Sequence, residues 1–355
     1  MKKKLKISLV IPCLNEKETI ASVIDDAIKN AKIFFKNSYE IIVSDNGSTD
    51  GSIEIIKRYS EVRLINVPVR GYGAALHWGI MNSKSEYIVF ADADMSYPFF
   101  NLKQFSKKLS SACDLILGSR LKGEIQPGAM PLLNRYFGTP FLTWLIRLLY
   151  GIPTTDCNSG MRIVRKDFYN TLNMRNSGME WASELLLKTA LKKGKYAEVP
   201  IKFMKDGRSR KPHLSRWSDG WRHLKSIVLL KPVVLILIMG LFLFLSFATY
   251  PFGFGFTSLF ILLFVVFFFS YLALMFLSYA IEKQHNYISI FLSSNFLVPG
   301  VMIFIFLTVL AIWLLPNLHL GTKMLLAAID SIILMWTFLV ETIKTHLVNR
   351  LPDLR

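Results

Sequence analysis

Cysteine is scarce in this chain and acidic side chains are outnumbered. Its 355 residues hold 3 Cys, and 25 Asp and Glu against 42 Lys and Arg, for a formal net charge of +17. Cys13, Cys113 and Cys157 are widely spaced and form no CxxC pair. That pattern excludes a disulfide framework and a thiolate zinc site, and it fits a reducing compartment. Charge of either sign is missing from Pro232 to Ile281, where no Asp, Glu, Lys, Arg or His occurs. With only 19% charged residues and a mean hydropathy of +0.38, an ordinary soluble protein is excluded and membrane spans are expected.

One crossing needs ~20 apolar residues, so the long uncharged stretch predicts two spans, near 232–250 and 256–281, turning at Pro251, Gly253 and Gly255. A second uncharged run, Tyr287 to Pro316, predicts a span near 296–316, and a fourth is expected near 323–345. Four crossings return the C-terminus to the side of the N-terminal domain. Lys and Arg crowd before the first span and recur at Lys344, Arg350 and Arg355, whereas the opposite loops hold Lys323 alone. The positive-inside rule therefore puts the large domain in the cytoplasm.

Two weaker apolar signals need separate treatment. MKKKLKISLVIPCL begins like a secretory signal, but Pro12 and NEKE cut its apolar core short, and it reads as a first strand. The segment PLLNRYFGTPFLTWLIRLLYG (131–151) is interrupted by Arg135, Pro140 and Arg147. It suits a helix lying in the headgroup layer, or else one packed within the soluble domain.

The first 230 residues alternate strands and helices, the pattern of a parallel sheet covered on both faces. Strands are predicted at 6–12, 39–45, 62–67, 87–92 and 114–119, with helices in ETIASVIDDAIKNAKIFF, GSIEIIKRYS and YGAALHWGIMNS. Ligands of such sheets sit beyond the carboxyl ends of the strands. At those ends stand Pro12 to Glu16, Asp45, Arg70 to Gly73, Asp92 with Asp94, and Ser119 with Arg120. In YIVFADADMSYP (87–98) two carboxylates one residue apart follow an apolar strand, a pair suited to a hard cation bound through carboxylates and substrate phosphates. DNGSTDGS (45–52) is a polar turn opening a helix, with Ser48 or Thr49 as its cap. RGYGAAL (70–76) fails as a dinucleotide fingerprint because Leu76 stands where the third Gly belongs.

IPCLNE, DNGSTDGS, DAD and LGSR together resemble the family 2 inverting glycosyltransferases of the GT-A fold. IPTTDCNSGMRIVRKD, GMEWASELLLKTALKKGKYAEVPI and DGRSRKPHLSRWSDGWRHL look like the branch that transfers a sugar to a polyprenyl phosphate, as dolichyl-phosphate mannose and glucose synthases and bacterial undecaprenyl-phosphate glycosyltransferases do. The likeness covers roughly residues 5–230. It implies an α/β, Rossmann-like catalytic domain of the GT-A fold; with the apolar runs, the expected organisation is that domain over 1–228, with interfacial helices near 131–150 and 213–228, then an all-α transmembrane domain of four helices over 229–355.

The roles that the resemblance implies fall on matching residues. Pro12, Asn15, Glu16 and Asp45 would hold the nucleotide, with Arg70 and Gly71 near the diphosphate, and Asn158 and Glu184 on the nucleotide-sugar side. Asp92 and Asp94 would hold Mg2+ or Mn2+, completed by Ser96 or water, while Arg120, Arg135, Arg208 and Arg210 would meet the acceptor phosphate. The implied partners are a UDP- or GDP-linked sugar, with UDP-glucose the donor expected first, a polyprenyl phosphate lipid, the membrane, and a second copy of the chain.

Basic residues at the domain's end suit that setting. Eight Lys and Arg lie between Lys202 and Lys225 against Asp206 and Asp219, a cluster that attracts anionic lipid or simply flanks a span. With that charge beside the membrane and no aromatic-basic module present, a nucleic-acid partner is not expected. Asp330, within the fourth expected span, reads as a helix-packing or oligomer contact. Two rival readings are a processive polysaccharide synthase, which would carry Gln where His213 precedes Arg216–Trp217, and a non-catalytic binding protein, which would have lost a metal carboxylate.

Overall fold

A computed structural model describes residues 7–109 and 112–209, together with His223, Ser226 and Ile227. The chain separates into two units, Met1–Ile227 with Leu351–Arg355, and Val228–Arg350; every described residue belongs to the first. No helix among the described residues is long and apolar enough to cross a membrane. The four expected spans, the interfacial helix near 213–228 save three of its residues, Arg210 and Asp330 lie outside the described residues.

The first half runs β1 (Ile7–Cys13), α1 (Ile20–Phe35), β2 (Tyr39–Asp45), α2 (Ser52–Ile56), β3 (Val62–Asn66), α3 (Tyr72–Asn82) and β4 (Tyr87–Phe90). The second half holds α4 (Leu102–Leu109), β5 (Leu115–Ile125), α5 (Thr139–Tyr150), β6 (Arg162–Arg165), α6 (Lys166–Thr171), α7 (Trp181–Leu191) and β7 (Tyr196–Phe203). A π-helical turn, Asn134–Gly138, leads into α5.

Seven strands form one sheet in the order β3-β2-β1-β4-β6-β5-β7. All neighbours pair in parallel except β6, which is antiparallel to both β4 and β5. Every residue of β1 is buried, as a central strand covered on both faces requires. α1 packs on it through Ile20, Val23, Ile24, Ala27 and Ala31, the three-and-four spacing of a single helix stripe.

The reversed direction of β6 decides what faces the strand ends. β4 and β6 are in register with Phe90 opposite Arg162, so the residues that precede β6 arrive at the edge that β4 leaves. Gly160 thereby comes to lie beside Asp92. Sequence alternation predicted five strands but not β6 or β7, since RIVR is short and half arginine and YAEVPIKF carries a Pro.

Candidate active site

Two loops clip together at the carboxyl ends of β1 and β2. Asn15, with φ of +57°, accepts the Thr49 N–H through Oδ1 at 2.7 Å. Its own N–H donates to Ser48 Oγ at 2.8 Å, and the Glu16 N–H donates to Ser52 Oγ at 2.8 Å. Asp45 is buried and caps its own turn, taking the N–H of Gly47 at 2.9 Å and of Ser48 at 3.1 Å. Pro12 is buried within β1. These residues therefore form one interlocked surface at the carboxyl ends of β1 and β2.

The third loop carries Arg70, an exposed side chain whose guanidinium lies against Gly47. Next to it Gly71 donates its N–H to Asn46 Oδ1 at 2.7 Å. A Cβ at Gly71 would stand 2.1 Å from the Ser177 carbonyl oxygen, and its φ is +139°, so only glycine fits here. Tyr72, the first residue of α3, donates its hydroxyl to Asp92 Oδ1 at 2.7 Å.

Asp92 and Asp94 lie in the turn after β4. Asp94 Oδ1 accepts the Ser96 N–H at 3.0 Å and the Ser96 hydroxyl at 2.5 Å, so Ser96 supports Asp94 here. Asp94 Oδ2 meets Arg208 Nη2 at 3.2 Å. The Asp92 carboxyl is pushed up from 3.8 to about 6 by burial first and then by the Asp94 charge, while Tyr72, Arg208 and Arg120 pull the other way. Crowded acids of this kind are what a divalent cation relieves. Gly160 leaves room over Asp92, since a Cβ there would come within 2.7 Å of Asp92 Oδ2. Among the described residues no group of three or more His, Cys, Asp and Glu could hold a metal. Two hard oxygen donors with the rest supplied by water and phosphate is the pattern of Mg2+ and Mn2+, so the residues fit such an ion.

Arg120, on β5, is held by Asp156, which sequence reasoning missed. Nε and Nη2 of Arg120 each donate to an Asp156 oxygen at 2.7 Å, and the Arg120 backbone N–H adds a third bond at 3.0 Å. Burial opposes the Arg120 charge, but Asp156 and Tyr97 more than restore it, so Arg120 stays protonated. Tyr97 completes this corner, accepting the Gly160 N–H at 2.8 Å. Arg162, fully buried, donates to the carbonyls of Ser159, Cys157 and Ala182 and so fixes the loop that carries Asp156 and Asn158. The available signal was the Asp in DCNSGMR, visible only once β6 is known to run backwards.

Glu184 and Arg135 make no bond to the carboxylate pair among the described residues, whereas Arg208 does. Glu184 is buried in α7, accepting the N–H groups of Arg175 at 2.9 Å and Asn176 at 2.9 Å and pairing with Lys188. It braces the segment that presses on Gly71 and makes no hydrogen bond or ion pair with Asp92 or Asp94 among the described residues. Arg135 lies in the π-helical turn with its guanidinium over the Tyr136 ring at 5.4 Å; no bond joins it to Arg120 among the described residues. Arg208 is joined to Glu16, Nε to Oε2 at 2.9 Å and Nη2 to Oε1 at 2.8 Å, as well as to Asp94. It stands on the carboxylate side of the site.

Residues 8–172 match the family model described as glycosyl transferase family 2. The low-salt glycan biosynthesis hexosyltransferase Agl6 of Haloferax volcanii is 33% identical over 238 residues, which are 66% of this chain and 56% of that protein. The dolichyl-phosphate beta-glucosyltransferase ALG5C of Trichomonas vaginalis is 28% identical over 57% of this chain and 65% of its own. A dolichyl-phosphate hexose transferase of Haloferax volcanii is 27% identical over 62% of this chain and 92% of its own. The chain thus spans less than two thirds of the first two of these relatives.

Proposed function

Since the chain belongs to glycosyl transferase family 2, we propose that it transfers a hexose from a nucleotide sugar to the phosphate of a membrane polyprenol. The observation that carries this reading is the charged corner at the carboxyl ends of the strands. There, the paired acids Asp92 and Asp94 stand near a buried Arg120 that Asp156 holds along one edge. Relatives whose names specify dolichyl phosphate support the acceptor class.

The residues divide the work. Asn15, Glu16, Asp45 and Arg70 frame the nucleotide crevice. Asp92 and Asp94 would hold Mg2+ or Mn2+, which supplies charge neutralisation for the departing diphosphate. Asp156 occupies the Nε and Nη2 edge of Arg120, leaving Nη1 to meet an acceptor phosphate. That phosphate is ionised at neutral pH and requires no general base. Placement is what it requires, and orientation alone supplies up to ~7–11 kcal/mol of a barrier. Direct attack on the anomeric carbon inverts its configuration.

A membrane setting is supported by the region around α5, and the distribution of Lys and Arg along the sequence favours the cytoplasmic side for this domain. Leu132, Leu133, Tyr136, Phe137, Trp144 and Leu148 are all exposed, and a helix with such a face suits the headgroup layer. UDP-glucose is the donor of choice, in keeping with the glucosyltransferase name of one relative.

The test is release of nucleotide by the detergent-solubilised full chain given polyprenyl phosphate, Mn2+ or Mg2+ and a panel of UDP- and GDP-sugars. Turnover that requires the lipid phosphate is expected, and Asp94→Asn should abolish it. Turnover without the lipid, or none with any donor, overturns the reading.

A further inference from the structure

Arg208 is unusual among the arginines of the site because it lies on an acid that the proposed cation also needs. Asp94 has two oxygens, and its own turn consumes Oδ1 through both the N–H and the hydroxyl of Ser96. Oδ2 is the oxygen left for a cation, and the Arg208 guanidinium stands on it at 3.2 Å. That guanidinium is almost buried, with 11% of its side chain exposed.

The segment that carries Arg208 is fastened over the carboxylate turn. Met204 donates its N–H to the Ser96 carbonyl at 2.9 Å, and Gly207 donates to the Asp94 carbonyl at 2.9 Å. Ser209 donates its N–H to Glu18 Oε2 at 2.7 Å and its hydroxyl to Glu18 Oε1 at 2.5 Å. Residues 204–209 thus form a strap from the end of β7 across the site.

Charge points the same way. Asp156 already balances Arg120, while Arg208 is shared between Asp94 and Glu16 with Asp92 close by. A divalent ion would be drawn to acids crowded in this way. It cannot share Asp94 Oδ2 closely with a guanidinium, because like charges a few ångströms apart in a half-buried site repel by several kcal/mol. Arg208 has a second anchor, since its fork on Glu16, at 2.8 and 2.9 Å, is tighter than its hold on Asp94.

We propose that Arg208 and the divalent cation exclude one another at Asp94, so that Arg208 sets the metal affinity and metal binding loosens the 204–209 strap. The inference rests on the metal-binding reading of the carboxylate pair. Arg208 holds Asp94 until the ion arrives, then retires onto Glu16.

The experiment measures Mn2+ binding directly, from the fall of the free-ion paramagnetic resonance signal, on the full chain in detergent without donor or acceptor. Arg208→Gln should bind Mn2+ about tenfold more tightly, the gain expected if Arg208 engages Asp94 about 90% of the time. Lys205→Gln, which removes a charge from the same strap, should leave the affinity within about twofold. Mn2+ should also speed amide exchange at residues 204–209 of the unsubstituted protein. Equal affinity in Arg208→Gln and the parent protein overturns the inference while sparing the metal site, as does Mn2+ binding without faster exchange in the strap. No Mn2+ binding by either protein overturns the metal site and the inference together.

Discussion

Asp92→Asn should make this domain more stable above pH 6 while removing a proposed cation ligand. The Asp92 carboxyl is raised from 3.8 to about 6, by burial and then by Asp94. A carboxyl whose folded pKa exceeds its unfolded one contributes stability that is complete below about pH 4 and is lost as the pH rises through about 6. Converted whole, the rise is worth roughly 3 kcal/mol. Asp92 is only half-buried, however, and solvent screening reduces the figure to about 1–2 kcal/mol. Asparagine has nearly the same shape, carries no charge, and keeps an oxygen to accept the Tyr72 hydroxyl, which now stands 2.7 Å from Oδ1. The assay is thermal unfolding in detergent with chelator present, at pH 5 and pH 8. At pH 8 the variant should melt about 3–6 °C above the parent protein. At pH 5, midway between the unfolded and folded values, the gap should fall to about half, and it should close only below about pH 4. A gap of equal size at both pH values, or a variant less stable at pH 8, refutes the account of Asp92.

Asp156→Ala should destabilise the domain by about 3–5 kcal/mol, because it strands the buried Arg120 charge; replacing both by Met should restore most of the stability but no transfer. Denaturant titration of both variants beside the parent protein checks this. Gly71→Ala should cost at least about 2 kcal/mol, since its Cβ meets the Ser177 carbonyl at 2.1 Å with φ at +139°; a melting curve decides. Trp144→Glu with Leu148→Glu should raise the KM for a long-chain polyprenyl phosphate about tenfold or more, given ~1.5–3 kcal/mol for each large apolar side chain withdrawn from contact. Mn2+ affinity should not change, and a loss of both would place α5 in the fold rather than at the membrane.

Much of the fold can be read directly from the chain because β1, β2 and β4 are short apolar runs ending in polar turns, the local signature of a buried parallel strand. Asp92 and Asp94 were legible for the same reason, being the first charges after such a run. β6 was not, because it is four residues long with an arginine at each end, and what makes it a strand is pairing with β4 and β5, tens of residues away. Missing β6 meant missing Asp156 and Arg162, whose roles depend on its direction. Glu184 illustrates the converse. A carboxylate near the site in sequence is spent on the N–H groups of Arg175 and Asn176, and helical spacing carries no trace of that. Arg208 was legible as a cation but not in its partners, since Glu16 lies 192 residues earlier.

The long excursion between β5 and β6 has a mechanical side. The chain leaves the sheet, turns through the exposed apolar side chains of α5, and is back at Asp156 six residues after Tyr150. On its inner side α5 returns a contact, the Thr143 hydroxyl accepting the Cys157 N–H at 3.3 Å. The helix is thus tied to the residue beside Asp156, with exposed apolar side chains on its outer face and the Arg120 clasp on the loop behind it.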